Sequence, residues 1–208
     1  MQAHNHITTV SGTTQTLALF VLALVIGSFI SLLVVHFLDT EVNPITDPVS
    51  DYGARGHAWF YRIAAIWLGF AGLLTAVMVG DAMFPKPTLT ILSLLVFAAA
   101  RWAITIFPTD LEGEEETSAG RSHLVLAIAA FASIAIAATA FAISTNNDPF
   151  WHAQHSILVL LAGFVTLIAV STGIVRALGY GPFGMIERLL YLAMFSWFSA
   201  VALMLLAG

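Results

Sequence analysis

Cysteine is absent from the 208 residues, which removes disulfides, thiolate metal sites and cysteine nucleophiles together. Charge is nearly as scarce: only 9% of the residues are Asp, Glu, Lys or Arg, where a soluble domain carries about a quarter. So few charges cannot cover a water-facing surface. The basic residues number seven and form no patch interleaved with aromatics, which argues against a nucleic-acid partner. The first fifteen residues hold no Lys or Arg, and the apolar run after them is longer than a cleavable signal core, so it is expected to be a retained span.

Apolar side chains make up 59% of the chain and the mean hydropathy is +0.92. A bilayer core about 30 Å thick takes roughly 20 apolar residues per helix. Six stretches meet that requirement: 16–38, 59–79, 88–107, 123–144, 155–175 and 186–206. Between them lie Pro85 and Pro87, the run Asn146-Asn147-Asp148-Pro149, and Gly179-Tyr180-Gly181-Pro182, all turn-forming. The expected architecture is therefore one all-α domain over residues 1–208, a polytopic bundle of about six transmembrane helices with no soluble domain, its main partner the lipid bilayer. Small residues let helices approach closely in lipid. The alanine-rich fourth span and the fifth, with Gly163 and Gly173, are thus expected at the centre, and the first, third and sixth against lipid.

Alternating span direction brings the unusual polar residues to one membrane face. His36 and Asp39 end the first span, Asp47-Pro48-Val49-Ser50-Asp51-Tyr52-Gly53 follows, and then come His57 and Arg62. Arg101 precedes Phe107-Pro108-Thr109-Asp110, and Thr117, Gly120, Arg121 and His123 lead into the fourth span. Glu187 and Arg188 open the sixth. Counting Lys and Arg near the loops places this face in the cytoplasm. The other face holds only Lys86 among basic residues.

An ionisable side chain inside a span usually faces the bundle interior and pairs or binds. Arg62 and Arg101 are accordingly expected either to pin helices by pairing with Asp51 or Asp110, or to bind a phosphate or carboxylate headgroup. Asp51, Asp110 and His123 could hold a divalent metal such as zinc with a water in the open position, with His36 or His57 as a further donor. Ser50, Asp51, Asp110 and His123 are the candidate catalytic residues. No Gly-x-Ser-x-Gly elbow positions a serine nucleophile. On the opposite face His152 and His155, with His4 and His6, could hold a metal or haem, but an interfacial belt explains them more simply. Glu112, Glu114, Glu115 and Glu116 read as a solvated acidic loop.

The Asp47–Gly53 segment, Phe-Pro-Thr-Asp ending at Asp110, and Thr117-x-x-Gly120-Arg121-x-His123 resemble the family labelled domain of unknown function 998. Gly184-x-x-Glu187-Arg188-Leu189 resembles it more loosely. The resemblance covers essentially the whole chain and implies a six-span protein of a prokaryotic cell (inner) membrane, without implying a reaction. A more distant similarity to ceramidase-like membrane hydrolases fails at the late histidine pair, because His152 and His155 lie on the wrong face. Two functions are expected to compete: a metal-assisted hydrolase of lipid-like substrates, and a non-catalytic accessory subunit of a larger membrane complex.

Overall fold

The computed structural model describes residues 10–111, 113, 115–179 and 181–208. Its long helices are α1 (Gly12–Leu38), α2 (Ala58–Asp81), α3 (Thr88–Ala103), α4 (Ser118–Thr145), α5 (His155–Leu178) and α6 (Phe183–Ala207). Five are long and apolar enough to cross a membrane, and α3 is a shorter apolar helix. Local chemistry sets the boundaries. Ser11 caps α1 by accepting from the Thr14 amide, and Thr117 caps α4 by accepting from the Gly120 amide.

The third span ends earlier than its apolar run suggests. Helix α3 stops at Ala103 rather than 107, because Thr105 donates its hydroxyl to the Trp102 carbonyl and Pro108 disfavours helix just before it. Sixteen residues rise only about 24 Å, less than the hydrocarbon thickness. Arg101 sits two residues before the helix end at Ala103.

The helices close into a ring in chain order, α1 against α2 and onward to α6 against α1, with α2 also touching α6 across it. In their most apolar stretches 61% of α2 and 56% of α6 is buried, against 39% of α4 and 22% of α5. The expectation that α4 and α5 are central is therefore corrected: α2 and α6 are. Small residues permit close approach but fill little space, and large aromatics occupy the interior instead. Phe141 meets the Trp151 and Trp197 rings edge-on at 5.0 and 6.1 Å, and Phe97 lies 5.7 Å from Phe198. On α5, Gly163 and Gly173 are exposed with open space beside them.

Candidate functional site

At the end of the bundle where α1, α3 and α5 finish, the loop from 39 to 57 folds back over α6. Its short 3₁₀ turn, Val49–Ala54, presents Val49, Asp51, Tyr52 and Gly53 as buried residues. The amides of Gly184 and Met185, which a helix start leaves without partners, donate to the Thr46 and Ile45 carbonyls. The Glu187 carboxylate accepts from the Val49 amide at 2.7 Å. Arg188 Nη1 reaches the Pro44, Asp47 and Gly184 carbonyls at 2.9–3.1 Å, and its Nη2 donates to the Tyr52 hydroxyl at 2.9 Å. That hydroxyl also meets His36 Nδ1 at 2.7 Å. Gly184 is required by proximity, since a Cβ there would lie 2.3 Å from the Asp47 carbonyl oxygen.

Beneath this loop four helices send polar side chains inward: Tyr61 from α2, Arg101 from α3, His123 from α4, and Glu187 with Tyr191 from α6, all buried. Glu187 and Tyr191 are four residues apart and so share a helix face. Arg101, 1% exposed, donates through Nη1 to the Tyr191 hydroxyl at 3.0 Å, with its guanidinium carbon 5.4 Å from that ring's centre. Its Nε and Nη2 are buried without a hydrogen-bond partner. His123 Nδ1 donates to the Phe107 carbonyl at 2.8 Å, and its Nε2 is likewise buried and unpartnered. The Tyr61 and His123 rings lie nearly parallel, 6.5 Å apart. His123, Tyr61, Arg62, Phe107 and Thr109 border a cavity of about 10 Å³, room for roughly one water.

The residues anticipated from sequence separate into two groups. Asp51, Arg101 and His123 are buried at this end of the bundle, as expected. Arg62 is exposed, which corrects its expected inward orientation. Tyr61 beside it is buried, whereas the long Arg62 side chain reaches the rim of the same cavity from the exposed side of α2. Ser50 is half-buried on the 3₁₀ turn, and His123 is bonded to the Phe107 carbonyl rather than to a serine or a carboxylate.

Asp110 closes its own loop by accepting from the Thr117 amide at 2.9 Å and the Thr117 hydroxyl at 2.7 Å. Those two donors, amide first, hold its carboxyl below the ordinary range. The close approach depends on Gly120, where a Cβ would lie 1.9 Å from the carboxylate. His57 pairs with Asp39 at 2.6 Å. Among the described residues no three His, Asp or Glu side chains are grouped so as to hold a metal.

On the opposite face His152 Nδ1 bonds the Asn146 carbonyl and His155 Nδ1 the Thr145 hydroxyl, so both serve local turns. His4, His6, Glu112 and Glu114 lie outside the described residues. Sequence reasoning had placed Glu187 on the right face without giving it a role in the site, and it passed over Tyr61 and Tyr191. The available signal was the i, i+4 spacing of Glu187 and Tyr191 in an otherwise apolar helix.

A closed ring of apolar helices around a polar cluster at one end defines a multi-pass membrane protein. The family described as Protein of unknown function (DUF998) matches residues 17–204, and the chain belongs to that family. No curated protein and no solved structure matches the chain.

Proposed function

We propose that this protein is a membrane-embedded hydrolase of lipid-like substrates, working at headgroup depth in a prokaryotic cell membrane with His123 as its base. The observation that carries the reading is the state of that imidazole. Donation from Nδ1 to the Phe107 carbonyl leaves the neutral ring's lone pair on Nε2, which no protein group uses. The ring also borders a cavity the size of one water. A water held there would lose its proton to Nε2 as its oxygen attacks a substrate carbonyl, and the imidazolium would pass that proton to the departing alcohol or amine as the ester or amide bond breaks. The 3₁₀ turn bearing Ser50 and Asp51 packs over this end of the site. In the zinc-assisted form expected from sequence, Asp110 would ligate through the lone pairs left beside its two bonds to Thr117.

The test is turnover of a panel of long-chain esters and amides by purified protein, with metal content measured on the same samples. His123→Ala should lower turnover by about 10²-fold or more. No activity in the wild type, or undiminished activity in the mutant, refutes the reading. Stoichiometric zinc lost in the mutant would restore the metal-assisted form. A second reading, an accessory subunit, is favoured by the sparse cover of α5, 22% buried in its apolar stretch. Other membrane proteins should then co-purify in mild detergent, and isolation as a lone monodisperse species counts against it.

A further inference from the structure

A guanidinium has two binding edges, and in Arg101 they are used unequally. Nη1 is given to the Tyr191 hydroxyl. Nε and Nη2 lie on the other edge, where covalent geometry points one N–H of each in the same direction. Both are buried, and neither is hydrogen-bonded. That edge is the fork which receives two oxygens of one carboxylate or phosphate at once. A carboxylate does lie nearby, but Glu187 places one oxygen on the Val49 amide and makes no hydrogen bond to Arg101. Buried donors are nearly always satisfied, and a charged donor most of all, so two vacant ones side by side mark a place built for something else.

We infer that this edge of Arg101 seats the two-oxygen oxyanion of a membrane-borne amphiphile, with Tyr191 orienting the guanidinium from behind. The depth favours a lipid source. Arg101 lies two residues before the end of α3, and the outer surface at that level is apolar, with Ile106 73% and Val125 65% exposed. An amphiphile with its tail against that surface would place its anionic group on the fork once the helices part there, since Arg101 itself is 1% exposed. The inference rests on reading this interior as a site, but it requires no turnover, because a free fatty acid is product-like and cannot be hydrolysed.

The experiment is equilibrium binding to the full chain in nanodiscs, with radiolabelled oleate as the probe. Oleyl phosphate, methyl oleate, acetate and inorganic phosphate serve as competitors. Oleate should bind and oleyl phosphate should displace it, while methyl oleate, which lacks the oxyanion, should not. Arg101→Gln should weaken binding on the order of tenfold to a hundredfold. Arg101→Lys keeps the charge but loses the fork, and should also weaken it; this variant decides the matter where the glutamine form does not fold. His123→Ala should still bind oleate even where it abolishes hydrolysis, so the two proposals fail separately. Equal competition by methyl oleate, or unchanged affinity in Arg101→Lys, overturns the assignment. Acetate or inorganic phosphate displacing oleate at matching concentrations overturns the amphiphile as its source.

Discussion

Replacing Arg188 by alanine should release the loop that covers the site. Nη1 is shared among three carbonyls at 2.9–3.1 Å, a multi-centre contact that counts as one or two full hydrogen bonds, and Nη2 adds the bond to Tyr52. Each charge-assisted bond contributes about 1.5–3 kcal/mol when buried. Arg188 is only half-buried, so water compensates part of the loss and the net cost is about 2–4 kcal/mol. Every 1.4 kcal/mol is a factor of ten in an opening equilibrium. Amide hydrogen exchange at Val49, Gly184 and Met185, whose N–H groups tie the loop to α6, should therefore quicken roughly thirtyfold to several hundredfold. Amides in the middle of α2 should not change. Arg188→Lys, which cannot reach carbonyls and Tyr52 together, should fall between. Lys86→Ala, exposed on the opposite face of the bundle, is the control and should stay within about 0.5 kcal/mol. Exchange in Arg188→Ala within threefold of wild type would show that the loop is held by something other than this arginine.

Two further predictions concern the same end of the bundle. Gly184→Ala would drive a methyl into the Asp47 backbone, so it should lower the thermal midpoint and open the same loop amides; an unaltered midpoint would contradict the close approach. The Asp110 carboxyl is held below its ordinary value by the Thr117 amide and hydroxyl. A depressed folded value means its contribution is present above the unfolded value and is lost as pH falls through the folded one. Acidification below about pH 4 should therefore free the Thr117 amide to exchange, whereas Asp110→Ala should show that faster exchange already at neutral pH. A pH-independent Thr117 amide would remove Asp110 from this role.

What could be read in advance followed from the two constraints that lipid imposes. Backbone must be paired within helices, so the apolar runs located the six helices, and buried charge is costly, so Asp51, Arg101 and His123 were legible as interior residues. Helix rotation was not legible. Arg62 and Tyr61 differ by one position, about 100° around α2, and in a helix apolar on every side no amphipathic stripe tells which of the two faces inward. The same lack hid the centrality of α2 and α6. In water the buried side of a helix is the apolar one, whereas here lipid and interior are equally apolar and shape alone separates them. Glycine was a poor guide to that shape, because Gly163 and Gly173 on α5 leave open space, while Phe97, Phe141, Trp197 and Phe198 fill the middle. Asp110 misled for a different reason. A carboxylate seven residues before a threonine that starts a helix can ligate a metal or close a loop, and the difference lies in whether a glycine at 120 admits it to the helix end. Here Gly120 admits it, so the Phe-Pro-Thr-Asp and Thr-x-x-Gly-Arg-x-His segments act as one device: the first supplies the carboxylate that fixes Thr117 and the carbonyl that fixes His123 Nδ1. Together they hold His123 Nδ1 on the Phe107 carbonyl and leave its Nε2 unpartnered inside the bundle.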